Sequence, residues 1–209
     1  PAPALLQILT YSAYTKHKKG ASMNLAVLQL KGGVGKTPLS FSLAKDLGLN
    51  WQSNDDSVVP QFYKKGKILD RCEIAPDTIY DFGGFASAGV FDILKRCDFI
   101  IVPITPNPNA IKRAASTVSQ IKPLGRRILG IVTDVSSQKE FDETVLEIKN
   151  AKIVCNKFFV LKSSRAFENA ITMGKSFIEL YDESPLSKRQ YRSFIEMYKK
   201  IVGYIKENE

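Results

Sequence analysis

Short apolar runs alternate along the chain with amphipathic stretches of helical period. Residues 25–30, 78–80, 99–104, 128–132 and 153–160 are largely apolar on successive positions, the pattern of strands buried on both faces of a sheet. Between them, apolar residues at helical spacing predict helices over 38–47, 87–96, 109–121 and 140–148. Three more helices are expected over 165–173, 176–181 and 186–206, the last opened by Pro185. This alternation predicts an α/β fold, a mostly parallel twisted sheet flanked by helices on both faces. Ligands in such sheets bind outside the carboxyl ends of the strands. Residues 50–71, which mix Asn, Asp, Ser, Pro and Gly, break the alternation and read as the least regular segment, the place for a mobile element.

Composition narrows the class. With 209 residues and 44% hydrophobic content the chain can bury one sizeable core, so residues 23–209 are expected to form a single domain. Residues 1–22 stand apart, because Met23-Asn24-Leu25-Ala26-Val27 reads as the start of the first strand. Their apolar piece is short and precedes its positive charges, the reverse of a secretory signal, so they are expected to be a non-native extension or to lie outside the fold. No apolar run approaches the roughly 18 residues that span a bilayer, and a soluble protein is expected. The formal net charge of +9 makes an anionic partner plausible, either nucleic acid or an acidic membrane surface. The first 22 residues hold three of the lysines and no acid, so the part from Met23 on carries +6. Cys72, Cys97 and Cys155 are odd in number and widely spaced, which suggests neither a disulfide framework nor a zinc site and fits a reducing cytoplasm.

The run Lys31-Gly32-Gly33-Val34-Gly35-Lys36-Thr37 lies where the first strand should turn into the first helix. Glycines there let backbone N–H groups curl around phosphate oxygens, and the helix adds the positive end of its dipole. Lys36 is placed to neutralise the β- and γ-phosphates, and the Thr37 hydroxyl to ligate Mg²⁺. The usual phosphate loop has a glycine where this chain has Lys31.

A lysine at that position gives the loop KGGxGKT, and the chain resembles the ParA/MinD-type ATPases with a deviant Walker A motif, most of all the small plasmid-partitioning ParA proteins. The resemblance extends from residue 24 to about residue 181 and implies a P-loop NTPase with ATP and Mg²⁺ as cofactors. It implies that Lys31 reaches the nucleotide bound by a second subunit, so that ATP holds a homodimer together. Lys31, Gly32, Gly33, Val34, Gly35, Lys36, Thr37 and Pro38 are then nucleotide-binding positions. Pro38 departs from the family, where a second Thr or Ser is common; proline is tolerated in the first helical turn, and slow turnover is expected. The cysteine pattern argues against the iron–sulfur relatives, whose cluster needs several thiolates.

Downstream, Asp81 closes the strand Thr78-Ile79-Tyr80 and precedes Phe82-Gly83-Gly84, similar to the family's second acidic motif. An acid there holds a Mg²⁺-bound water, and Gly83 can offer its N–H to the γ-phosphate. The family's aspartate pair, DxD followed by Pro-Gln, has its nearest counterpart in Ser53-Asn54-Asp55-Asp56-Ser57. The likeness makes Asp55 the residue that positions the attacking water and helps order the metal, with Asp56 as the fallback. Lys31, Lys36, Asp55 and Asp81 are thus the catalytic candidates, and Thr37, Asp55 and Asp81 the metal candidates. Val102-Pro103-Ile104-Thr105-Pro106 and the stretch from Arg165 through Gly174-Lys175 also match family segments. Asp134 stands after the fourth predicted strand, where relatives place an Asn for adenine, and it can accept from an exocyclic amine.

Arg165, Lys188, Arg189, Arg192, Lys199 and Lys200 are the candidate DNA contacts, giving salt-sensitive affinity without sequence preference. The expectation from the resemblance is a cytoplasmic, nucleoid-associated ATPase that partitions a plasmid or related mobile element with a centromere-binding adaptor of the ParB/ParG type. Two alternatives stand beside it. One is a MinD-like membrane-associated positioning ATPase, for which the tail Tyr191, Phe194, Ile195, Tyr198, Ile201, Val202 and Ile205 would supply an amphipathic helix, although core packing explains the same stripe. The other is an ATP-gated DNA-binding scaffold with little hydrolysis.

Overall fold

The computed structural model describes residues 22–83 and 89–208. Successive residues of each central strand point to opposite faces, and because nearly all are apolar, both faces need a cover. Seven strands form one parallel sheet in the order β3-β2-β4-β1-β5-β6-β7. They are β1 (Asn24–Leu28), β2 (Asn50–Ser53), β3 (Gly66–Ile68), β4 (Thr78–Phe82), β5 (Phe99–Ile104), β6 (Arg127–Val135) and β7 (Lys157–Lys162). The helices are α1 (Lys36–Leu47), α2 (Val59–Phe62), α3 (Val90–Leu94), α4 (Pro108–Ile121), α5 (Gln138–Asn150), α6 (Ala166–Met173), α7 (Phe177–Asp182) and α8 (Pro185–Glu207).

Two cores result. Leu25 and Val27 of β1, Ile79 of β4, Phe99 and Ile101 of β5 and Leu129 and Ile131 of β6 pack under α1, α6, α7 and α8. Their sequence neighbours Ala26, Leu28, Tyr80, Ile100, Val102, Ile128 and Val132 pack under α3, α4 and α5. The stripe Tyr191, Phe194, Ile195, Tyr198, Ile201, Val202 and Ile205 of α8 is buried in the first core, so this apolar face covers the sheet.

Several boundaries differ from the sequence expectation. Residues 50–71 are not irregular throughout: they hold β2, the single-turn α2 and the edge strand β3. Alternating apolarity is weak there because Asn50, Gln52 and Ser53 are polar, yet Gln52 and Ser53 are buried. Their neighbour Trp51 donates Nε1–H to Ser40 Oγ at 2.9 Å, and Gln52 Oε1 accepts from Glu73 N at 2.9 Å. The first strand ends at Leu28 rather than residue 30, and the buried Gln29 side chain donates instead to Pro103 O and Ala110 O, both at 3.3 Å. The last strand begins at Lys157 rather than 153, since Lys152 adopts a left-handed turn (φ 54°) that ends α5 before Ile153 is buried. Residues 1–21 of the expected extension and residues 87 and 88 of the helix expected over 87–96 lie outside the described residues, and α3 is seen from Val90.

Candidate nucleotide-binding site

The loop between β1 and α1 is shaped by two glycines in the left-handed region, Gly33 at φ 75° and Gly35 at φ 83°, where a β-carbon is strained. Gly35 is also the N-cap of α1, and a Cβ there would lie 2.7 Å from the ring of Phe167 at the start of α6. Val34 is buried, and its carbonyl accepts from Thr133 Oγ1 of β6 at 3.3 Å, so the loop is held from both sides. Lys36 and Thr37 open α1, and Pro38 sits in its first turn, where an N–H would have no helical partner. Leu39 N makes the first return bond, to Gly35 O at 3.2 Å. Lys36 Nζ donates to Lys31 O at 3.3 Å, and the Lys31 side chain is solvent-exposed.

Asp81 on β4 lies beneath this loop and is 2% exposed. Burial pushes its carboxyl up from 3.8 to about 6; the Thr37 hydroxyl, the Lys36 ammonium and the Ser40 hydroxyl beside it favour the ionised form, and the Asp55 charge adds to the rise. The two hydroxyls stand close enough to favour the charge, yet neither carboxylate oxygen receives a hydrogen bond of good geometry among the described residues, and Ser40 Oγ donates to Thr37 O at 3.0 Å. Burial holds the Lys36 ammonium below its ordinary range, opposed by Asp81 and Asp55 and reinforced by Lys31. Lys31, Asp55 and Asp81 thus all lie within electrostatic reach of Lys36, and Asp55 within reach of Asp81.

An orphaned, buried carboxylate costs free energy unless a cation satisfies it, and this one stands beside a hydroxyl at a phosphate loop. Among the described residues no group of three or more His, Cys, Asp or Glu could cage a metal. That donor set fits Mg²⁺, which keeps waters and takes phosphate oxygens alongside one or two protein ligands. Thr37 and Asp81 would hold it, with Asp55 nearby.

Asp55 follows β2, whose Ser53 is in register with Asp81. Ser53 Oγ accepts from Asp55 N at 3.0 Å and donates to Asp55 O at 3.1 Å, folding a tight turn. Asp55 Oδ1 accepts from Asp56 N at 3.0 Å, while both acids are exposed. Gly83 N donates to Asn54 Oδ1 at 3.2 Å, so the N–H that sequence reasoning assigned to a phosphate is engaged here.

On the other side of the loop an open cavity of about 520 Å³ is lined by Gly33, Gly35, Thr133, Asp134, Arg165 and Phe167, among others. Asp134 reaches it from a left-handed backbone (φ 62°), and its Oδ1 accepts from Ser163 Oγ at 2.6 Å. Arg165, grouped by sequence with the candidate DNA contacts, lies here at the N-cap of α6 and lines the cavity. Lys188, Arg189, Arg192, Lys199 and Lys200 are all exposed on α8. Lys188 pairs with Asp182 at 3.5 Å, and Lys188 and Lys199 stand over the Tyr181 ring at 5.9 and 5.1 Å. Sequence reasoning missed Ser40, Thr133 and Phe167; only the Ser40 position, one turn after Thr37, carried any local signal.

No protein-family model matches the sequence, and no curated protein is similar to it in sequence. Solved structures are similar in fold. Cyanothece McdA without nucleotide superposes with a TM-score of 0.60 at 13% identity, covering 83% of this chain and 99% of that one. A Borrelia burgdorferi B31 plasmid partition protein bound to AMPPNP gives 0.59 at 13% identity, over 86% and 99%. Pyrococcus horikoshii MinD with Mg-ADP gives 0.57 at 11% identity, over 88% and 98%. The fold is that of the ParA/MinD-type P-loop NTPases. The parallel sheet flanked by helices on both faces is the architecture expected from the sequence. No helix among the described residues is long and apolar enough to cross a membrane.

Proposed function

We propose that the chain is an ATPase that dimerises on binding ATP with Mg²⁺, holds nonspecific DNA in that state, and is released by a partner that stimulates hydrolysis. The observation that carries this reading is Asp81: a buried carboxylate without a well-formed hydrogen bond, beside Thr37 and Lys36 at a phosphate loop, is suited to a cation that arrives with an anion. The loop and Lys36 bind the phosphate chain, and the metal, when bound, neutralises phosphate charge. Asp55 orients the attacking water, and the exposed Lys31 reaches a second subunit's nucleotide. Positioning and charge stabilisation of this kind dominate phosphoryl transfer. The cavity beside Asp134 takes the base.

The basic residues of α8 are assigned to DNA, whose phosphates they would contact without reading sequence. A centromere-binding adaptor of the ParB/ParG type and a nucleoid-associated location follow from that assignment. The burial of the α8 apolar stripe favours this over a MinD-like membrane role, since inserting the stripe would uncover the sheet.

Light scattering with Mg²⁺ and AMPPNP tests the core of the reading. Wild type is expected to double its mass with AMPPNP and remain monomeric with ADP, and Lys31→Ala to remain monomeric with both. A wild-type mass that AMPPNP leaves unchanged removes the dimer mechanism. DNA binding should require AMPPNP and weaken steeply with salt, and phosphate release measured with and without DNA separates an enzyme from a scaffold.

A further inference from the structure

The sheet order divides the site into two ends. The cavity is lined by residues in or after β5, β6 and β7, on one side of β1, whereas Asp81 near the end of β4, Gly83 just past it and Asp55 after β2 lie on the other. A nucleoside triphosphate whose base fills the cavity and whose phosphates lie on the β1–α1 loop therefore directs its terminal phosphate toward Lys36, Gly83 and Asp55. That end is already closed by a contact that the reaction does not use. Gly83 N donates to the side chain of Asn54, which continues the β2·β4 ladder one step past the paired residues Ser53 and Asp81. Asp55 rests on the bare Cα of Gly83: a Cβ there would meet Asp55 Oδ2 at 3.0 Å and Cγ at 3.3 Å. The Ser53 hydroxyl, bonded to both Asp55 N and Asp55 O, ties Asn54 and Asp55 into one rigid turn.

We infer that Asn54 is a latch: its amide oxygen occupies the Gly83 N–H in the free protein, holds Asp55 over the terminal-phosphate end, and must be displaced by a third phosphate but not by a second. This inference rests on the proposed nucleotide site. A phosphate oxygen carries charge and forms a stronger hydrogen bond than a neutral amide oxygen, so it wins the Gly83 N–H from Asn54. A diphosphate ends short of Gly83 and leaves the latch closed. Displacing Asn54 from Gly83 removes one tie between the Ser53–Asp55 turn and β4, which couples arrival of the third phosphate to the position of the acid that orients water. Asn54 is thus a positioning residue that sets discrimination between triphosphate and diphosphate.

Calorimetric titration of the full chain with AMPPNP and with ADP, each with Mg²⁺, tests this. Asn54→Ala is expected to bind ADP within about twofold of wild type and AMPPNP about three- to tenfold more tightly, the worth of one neutral hydrogen bond. Asn54→Asp keeps the acceptor, adds a charge facing the phosphate, and should weaken AMPPNP relative to ADP. Without nucleotide, hydrogen exchange at Gly83 should be faster in Asn54→Ala than in wild type. Asn54→Leu, apolar and nearly isosteric, repeats the test if the alanine variant fails to fold. An AMPPNP-to-ADP affinity ratio unchanged by loss of the acceptor overturns the latch, as does unchanged exchange at Gly83. Wild type that binds both nucleotides with that unchanged ratio loses the latch alone; wild type that binds neither loses the nucleotide site as well.

Discussion

Replacing Asp81 by Asn removes a charge that the nucleotide-free protein holds at a cost. The carboxyl is buried, lacks hydrogen-bond partners and is raised from 3.8 to about 6. At about 1.36 kcal/mol for each tenfold change in proton affinity, that rise corresponds to about 3 kcal/mol of lost stability once the group is ionised in both folded and unfolded chains. The pH window follows from the direction of the shift. Below about pH 4 the carboxyl is protonated in both states and costs nothing. Between about pH 4 and 6 the folded chain keeps the proton that the unfolded chain has released, so stability falls as pH rises, and above about pH 6 the full cost applies. Asp81→Asn should therefore stabilise the nucleotide-free protein at pH 7.5 by about 3 kcal/mol, or about 6–12 °C for a chain of this size. The gain should shrink to about 1 kcal/mol at pH 4.5. The same variant should lose Mg²⁺-dependent nucleotide binding, giving opposite signs in stability and function. Thermal melts of both proteins at the two pH values, without nucleotide, make the measurement. A variant that melts at or below wild type at pH 7.5, or whose advantage is the same at both pH values, refutes the reasoning.

Other sites give separate expectations. Gly35→Ala meets a positive φ of 83° and a ring 2.7 Å from the new Cβ, so it should cost about 2–4 kcal/mol in denaturant unfolding and abolish nucleotide binding. Trimming the ring in Gly35→Ala/Phe167→Ala should recover the steric part, leaving the backbone strain measurable; if the double variant is no better at binding nucleotide, the ring contact is irrelevant. Trp51→Phe deletes the donor to Ser40 Oγ and part of a fully buried side chain, with an expected loss of about 1–3 kcal/mol in urea titration. A loss below about 0.5 kcal/mol would show that this bond does not anchor β2 to α1.

The parts of the fold legible in the sequence were those in which burial is paid for by the residue itself. In β1, β4, β5 and β6 apolar side chains are buried on both faces, so the runs at 25–30, 78–80, 99–104 and 128–132 announced them. The amphipathic stripes of α4, α5 and α8 did the same for the helices. β2 escaped notice because Gln52 and Ser53 are buried polar residues, Gln52 satisfied by the distant Glu73 N and Ser53 within its own turn by Asp55. The loop from Lys31 to Thr37 was readable because glycines with positive φ and a lysine at a helix start follow from local backbone chemistry. The cavity was not, since its walls come from the ends of β5, β6 and β7 and nothing local relates Phe167 to Gly35.

By itself, then, the sequence determined the alternation of strands and helices, the glycine-rich loop after β1 and an acid near the end of β4, because each depends on periodicity or on conformations open to a few residue types. Tertiary structure decided the strand order, and with it which loops share an edge. It put Asp55 against Gly83, left the Asp81 oxygens without a hydrogen bond in good geometry, set Arg165 at the wall of the cavity, and packed the α8 stripe into the core. These are contacts between residues up to about a hundred or more positions apart, and they are selected by the summed burial of two sheet faces, which no single segment encodes.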